Sequence, residues 1–192
     1  MKLIFATNNQ HKVAEIKAAL PQAIEVLSLR EAGITIDIPE PHNTLEENAV
    51  VKAQVIYHLT GSNCFSEDTG LEVAALNGAP GVRSARYAGE AASAEQNIEL
   101  LMQQLNGITD RQARFRTVIC CMVNGQPHLF EGICNGRIAA GQSGAAGFGY
   151  DPVFMPDGAV KTFAEMTLLE KNSFSHRRKA LDKLVKFLNG LK

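Results

Sequence analysis

The amino-acid sequence predicts an α/β protein with a mixed sheet flanked by helices, and three features carry that expectation. The chain opens with a strand, a polar turn and a helix. Later segments place apolar residues at helical spacing behind capping residues. Residues 113–138 read as two long strands joined by a tight hairpin.

The opening unit is an apolar run, residues 2–6, that gives way to Thr7-Asn8-Asn9-Gln10-His11-Lys12. Val13, Ile16 and Leu20 then recur with a helical period until Pro21 ends the pattern. Residues 24–29 form a second strand. Thr44 stands three residues before Glu47, a capping-box spacing, and the helix behind it places Leu45, Ala49, Ala53, Ile56 and Leu59 on one face before Gly61. Residues 63–66 are a short strand that runs into an acidic turn, Glu67-Asp68-Thr69-Gly70. A second capping box, Ser93 with Gln96, opens a helix carrying Ile98, Leu101, Met102 and Leu105 that closes near Gly107. Residues 113–123 alternate as a strand, Asn124-Gly125 signals a hairpin, and the return strand covers about 128–138. The Gly-rich stretch 141–149 is a loop. A last helix spans 175–188, with Leu181, Leu184, Val185 and Leu188 on one face and Gly190 just past its end.

A chain of 192 residues can bury a sizeable core as a single domain covering 1–192. The 19 basic and 20 acidic side chains balance to a net charge of -1. That argues against a nucleic-acid-binding protein, whose phosphate contacts need a broad basic surface, and leaves room for a small phosphate ligand. The four cysteines, Cys64, Cys120, Cys121 and Cys134, form no C-x-x-C pair and have no histidine at zinc-finger spacing, so free thiols in a reducing cytoplasm are expected. The opening apolar run is too short for a secretory signal, and no stretch has membrane-spanning length. The expectation is a soluble, cytoplasmic protein.

Neither G-x-x-x-x-G-K-[ST] nor G-x-G-x-x-G follows the first strand, and no G-x-S-x-G elbow exists. Four polar clusters remain. Thr7 to Lys12 offers a hydroxyl, amides, a helix N-terminus and a lysine, which suits a triphosphate or equally an ordinary cap with a solvated lysine. Glu67 and Asp68, with Glu40 between Pro39 and Pro41, are oxygen ligands of the kind Mg²⁺ takes, although acidic turns are also common without a metal. Gly147-Phe148-Gly149-Tyr150-Asp151-Pro152 combines close backbone approach, an aromatic face for a base and an acceptor. Lys171 and Ser175-His176-Arg177-Arg178 gather cations at the start of the last helix, where the macrodipole opposes them; an anionic ligand would explain that, and so would a plain surface run.

Taken in order along the chain, Ala6-Thr7-Asn8-Asn9 with Lys12, Glu47-Asn48-Ala49 with Lys52-Ala53, Asp68-Thr69-Gly70-Leu71, and Gly78-Ala79-Pro80-Gly81 before Ser84-Ala85-Arg86-Tyr87 are followed by Gly147-Phe148-Gly149-Tyr150-Asp151-Pro152 and by Glu170-Lys171-Asn172 leading to Ser175-His176-Arg177. In this the sequence resembles the Ham1/RdgB family, the inosine triphosphate pyrophosphatases, over essentially its whole length. The resemblance implies an elongated two-lobed α/β fold of the Maf/Ham1 type with a central cleft. It also implies hydrolysis of ITP, dITP and XTP to the monophosphate and pyrophosphate, with Mg²⁺, in a homodimer. By position, Thr7, Asn8, Asn9, Gln10, His11 and Lys12 resemble the phosphate-side loop and Lys52 a further phosphate contact. Asp68 resembles the general base, and Glu40 and Asp68 the metal ligands, with Glu67 as a third candidate where many members have Asp. Thr69, Phe148, Gly149, Tyr150, Asp151, Lys171, His176 and Arg177 resemble nucleotide contacts, with His176 or Arg177 as donors to the base. Asn8 stands where a glycine is often found, a change favoured by the tolerance of Asn for positive φ. A Maf-like pyrophosphatase acting on other nucleotides fits the Ser-His-Arg and Gly-Phe-Gly-Tyr-Asp motifs less well, and a non-catalytic nucleotide-binding module leaves the Asp68 cluster without a purpose.

Overall fold

Four of the α-helices begin at a side chain that accepts from backbone N–H groups. In the computed structural model, which describes residues 2–191, Asn9 caps α1 (Gln10–Ala19), which follows strand β1 (Lys2–Phe5), by accepting from the Lys12 amide at 3.1 Å. After β2 (Glu25–Ser28), Thr44 caps α2 (Leu45–Thr60), and Gly61, left-handed at φ 63°, ends it. Then come β3 (Cys64–Val73), β4 (Pro80–Gly81) and α3 (Ala94–Gln104), the last opened by the Ser93–Gln96 capping box. Strands β5 (Gln112–Val123) and β6 (Gln126–Ile138) are joined through Asn124 and Gly125, both at positive φ (51° and 79°). That pair of dihedrals matches the twist of the flanking strands. The chain finishes with β7 (Phe154–Pro156), α4 (Leu168–Phe174) and α5 (His176–Asn189).

The seven strands form one sheet in the order β2-β1-β3-β5-β6-β7, with β4 added on β3. Strand β1 is parallel to β2 and β3, whereas β4 on β3 and β7 on β6 are antiparallel, so the sheet is mixed as expected. The chain divides into two compact units. One is built from residues up to Asp68, Thr117–Gly132 and Arg177 onward; the other from Thr69–Arg116 and Ile133–His176. Each has its own core. In the first, Leu3, Phe5, Ile16, Phe65, Ile119 and Leu181 are buried together, and the Phe5 and Phe65 rings stack at 4.5 Å. In the second, Phe115 meets Phe154 edge-on at 4.7 Å, Phe163 lies 5.1 Å from Phe154, and Leu71 and Leu101 complete the cluster. A fully buried aromatic or leucine contributes about 1.5–3 kcal/mol against about 1 kcal/mol for a cap, so these clusters hold the units and the caps set their boundaries.

The structure departs from the sequence reading at five places. Strand β3 is ten residues long and includes Glu67-Asp68-Thr69-Gly70, which the sequence presents as a turn. Gly70 is needed there because the backbone of Gly81 crosses it: a Cβ would sit 2.6 Å from the Gly81 carbonyl oxygen. Strands β4 and β7 and helix α4 were not expected; Gly136 admits β7, since a Cβ there would fall 2.3 Å from the Met155 carbonyl oxygen. Leu59, in the last turn of α2, is 57% exposed, and the buried face of that helix carries Asn48 and Lys52 instead. All four cysteines are buried, and burial pushes the thiols of Cys64, Cys120 and Cys121 up to about 12. Among the described residues no helix is long and apolar enough to cross a membrane.

Candidate active site

Successive residues of a strand point to opposite faces, so Glu67 and Asp68 on β3 serve different neighbours. The Glu67 carboxylate is buried and receives the Arg177 guanidinium in a fork, Nε to Oε2 at 2.8 Å and Nη2 to Oε1 at 2.9 Å. The Lys12 ammonium lies 3.1 Å from the same Oε1, and Arg177 Nη1 also donates to Glu15. Two cations and two carboxylates therefore neutralise one another inside the first unit. Burial alone would raise the Glu67 carboxyl, but the adjacent Arg177 and Lys12 charges outweigh it and hold the group below the ordinary carboxylate range.

On the other face of β3, Asp68 Oδ1 accepts from Lys52 Nζ at 2.9 Å, and the same ammonium donates to Glu40 Oε1. The second oxygen, Asp68 Oδ2, is buried without a hydrogen-bond partner among the described residues. Burial and the charge of Glu40 push the Asp68 carboxyl up, against the pull of Lys52 and Lys12. For Lys52, burial works against the charged form, yet Asp68 and Glu40 outweigh it and raise the ammonium.

One ammonium between two carboxylates leaves the Lys52–Glu40–Asp68 group with one net negative charge. Among the described residues no three His, Cys, Asp or Glu side chains are grouped to hold a metal ion by themselves. Mg²⁺ does not require that, because it keeps several waters and commonly takes only one or two carboxylates together with substrate phosphates. The orphaned Asp68 Oδ2 and the neighbouring Glu40 fit such a partial shell. Glu67 fits it less well, with both oxygens engaged by Arg177 on the opposite face of the strand.

The Thr7–Lys12 segment is shaped by its own side chains. Thr7 Oγ1 accepts from the Asn9 amide at 3.2 Å, and Asn8 Nδ2 donates to the Ile36 carbonyl at 3.3 Å. Gln10 Nε2 donates to the Asn8 carbonyl at 3.3 Å. Asn8, Asn9, Gln10 and His11 are exposed at the start of α1, while Lys12 is drawn inward to Glu67. Asn8 is not among the residues at positive φ, so its place there rests on the side-chain bond to the 29–43 loop rather than on left-handed backbone.

In the second unit, Asp151 Oδ2 accepts from the Phe148 amide at 2.8 Å and from Lys171 Nζ at 2.7 Å. The Lys171 ammonium also lies 5.3 Å from the ring centroids of both Phe148 and Phe163, a cation–π arrangement inside a buried site. Tyr150 is buried and donates its hydroxyl to the Ser84 carbonyl at 2.9 Å, tying the Gly-rich loop down, while Phe148 and Gly149 stay half-buried. The His176 ring stacks on Phe115 at 4.6 Å and 14°. Thr69, next after Asp68 on β3, is half-buried.

The cations at the start of α5 have protein partners: Glu67 and Glu15 for Arg177, and Asp182 at 2.8 Å for Arg178. An anionic partner is thus supplied, for these two, by the chain itself. Glu15 and Phe163 were not singled out from the sequence. Glu15 had a readable signal, since it lies one turn after Lys12 on α1; Phe163 had none, because its ring reaches Lys171 only through the fold.

Comparison with known proteins agrees with this architecture. The Ham1 protein of Staphylococcus aureus superposes with a TM-score of 0.90 at 40% identity, covering 100% of both chains. A HAM1 protein from Coxiella burnetii does so at 0.90 and 37% identity, covering 99% of each. The family model for the Ham1 family matches residues 3–187. The chain belongs to the Ham1 family. It is 49% identical to a dITP/XTP pyrophosphatase of Flavobacterium psychrophilum over 187 residues, 97% of this chain and 98% of that one.

Proposed function

We propose that the chain is a nucleoside-triphosphate pyrophosphatase. It hydrolyses the deaminated purine nucleotides ITP, dITP and XTP to the monophosphate and pyrophosphate, with Mg²⁺, as a cytoplasmic homodimer. The observation that carries this reading is Asp68, a buried carboxylate with one oxygen on Lys52 and the other without a hydrogen-bond partner among the described residues, in a chain of this family. Water attacks the α-phosphorus, forming a new P–O bond as the bond to the bridging oxygen breaks and pyrophosphate leaves. Asp68 Oδ2 accepts the water proton. Lys12 beside Glu67 and Lys52 beside Asp68 stabilise charge on the phosphate oxygens, and the amide-rich Thr7–Gln10 segment adds donors. Glu40 and Asp68 would hold Mg²⁺, which would neutralise the developing charge.

Phe148, Lys171, His176 and Arg177 are the residues we assign to base recognition. Phe148 offers a half-buried face for stacking, and Asp151 fixes Lys171 beneath it. Hypoxanthine and xanthine present an acceptor at O6 where adenine has an amino group, so a donor from His176 or Arg177 rejects ATP by mismatch. Glu67 and Glu15 hold the Arg177 guanidinium in one orientation beforehand.

Incubation with ITP, dITP, XTP, GTP and ATP plus Mg²⁺ tests the reaction. Release of pyrophosphate from the first three is expected. Release of orthophosphate alone would mean γ-phosphate cleavage and would end the reading. Gly147→Ala tests the loop: at φ +77° its Cβ would fall 2.0 Å from Asp151 Oδ2, the atom that holds Lys171. A displacement of that size is expected to lower kcat/KM for ITP by roughly 10²-fold. Gly149→Ala, strained at φ +60° but meeting nothing within 4 Å, is expected to cost less.

A further inference from the structure

The face of α2 that turns inward carries two polar residues one turn apart, Asn48 and Lys52. Lys52 has its place beside Asp68 and Glu40; Asn48 has had none. Its side chain is fully buried, and asparagine is a poor helix former, so Ala or Leu would serve the helix and the core better. What it does instead is specific. Oδ1 accepts from the His42 amide at 3.0 Å and Nδ2 donates to the His42 carbonyl at 3.1 Å, so one side chain grips both polar groups of one residue.

His42 is two residues beyond Glu40, in the sequence Pro39-Glu40-Pro41-His42. Each proline fixes its own φ, and the residue before a proline is confined to extended backbone. Little torsional freedom therefore remains between the anchored His42 and the Glu40 side chain. The anchor itself is registered on β3, because the Ser66 hydroxyl donates to the Ala49 carbonyl and the Cys64 thiol to the Ala53 carbonyl at 3.2 Å. Those carbonyls belong to the residues after Asn48 and Lys52, and β3 carries Asp68.

We propose that Asn48 is a positioning residue. By gripping His42 it acts through Pro41 to hold the Glu40 carboxylate beside Asp68, where the two together receive the divalent cation. The proposal rests on the reading of Glu40 as a metal ligand. It gives the middle of the Glu47-Asn48-Ala49 motif a purpose that neither helix propensity nor core packing supplies.

Three variants of the full chain test it, Asn48→Ala, Pro41→Gly and Glu40→Gln, each followed by two measurements. One is hydrogen exchange over residues 36–44; the other is the Mg²⁺ concentration giving half-maximal pyrophosphate release from ITP. Asn48→Ala is expected to speed exchange at the His42 amide and to raise the Mg²⁺ half-saturation about 10–100-fold, as loss of a ligand's support does. Pro41→Gly, at an exposed position, is expected to keep His42 protected yet raise the half-saturation too, because the grip stays while the link to Glu40 loosens. The effects of Asn48→Ala and Glu40→Gln should fall well short of adding in the double variant. Fast His42 exchange with wild-type Mg²⁺ dependence in Asn48→Ala would overturn the proposal, as would wild-type Mg²⁺ dependence in Pro41→Gly. If Asn48→Ala does not fold, Pro41→Gly decides. Unchanged Mg²⁺ dependence in Glu40→Gln would instead remove Glu40 as a ligand, and the role of Asn48 with it.

Discussion

Asp68→Asn is expected to lower kcat for ITP by about 10²–10⁴-fold, the usual contribution of a positioned general base. The substitution is close to isosteric. The amide oxygen can still accept from Lys52, and Lys52 keeps its second partner, Glu40, so the fold is expected to survive. What is lost is the capacity of the second oxygen, now an NH₂ group, to take a proton or a cation. Of the residues that bind nucleotide, Lys12, Phe148 and Lys171 do not bond to Asp68, and Lys52, which does, keeps Glu40 as a partner, so kcat should fall far more than KM changes. Single-turnover and steady-state rates of pyrophosphate release, with nucleotide binding measured separately, make the test. Near-normal turnover would remove Asp68 from the role, and weakened binding with normal turnover at saturation would recast it as a binding group.

The parts legible in the sequence are those written in short-range code. The Ser93–Gln96 capping box, the left-handed Gly61 and the Asn124-Gly125 turn each depend on groups within a few residues, and each stands where the pattern placed it. Strand β3 shows where that code fails. Adjacent acidic residues followed by Thr-Gly look like a turn, because unpaired carboxylates do not belong in a buried strand. They are not unpaired: Arg177, 110 positions away, and Lys52 meet them on opposite faces, and Gly70 is there for the backbone of Gly81. No window of the sequence contains those facts. Helix α4 is a different case, since Thr167 and Glu170 carry a capping-box spacing that could have been read. Within the candidate site, the residue types were visible, but which carboxylate meets which cation was set by strand parity and by long-range packing.

The second large effect expected is on stability. Glu67→Gln leaves the fork of Arg177 facing a neutral amide, with Lys12 beside it and Glu15 as the remaining carboxylate of the group. Removing one partner of a buried ion-pair network costs about 3–5 kcal/mol, because the opposite charge stays buried without full compensation. For a chain of this size that amounts to a fall in Tm of roughly 6–20 °C at pH 7. The pH dependence follows from the direction of the carboxyl's shift. Glu67 titrates lower in the folded protein than its ordinary value of 4.5, so the unfolded chain takes up the proton first as pH falls. Its contribution is therefore complete above about pH 4.5 and drains away below it, toward the lowered folded value. Thermal unfolding of wild type and Glu67→Gln between pH 3 and pH 8 should show a constant gap in Tm down to about pH 5, narrowing at lower pH. A gap that is absent at pH 7 would mean that the network contributes specificity of placement but no net stability. A gap that persists undiminished at pH 3 would mean that the amide's cost is steric rather than electrostatic. Glu15→Gln, which loses the acceptor of Arg177 Nη1 at a less buried position, is expected to lower Tm at pH 7 by less than Glu67→Gln.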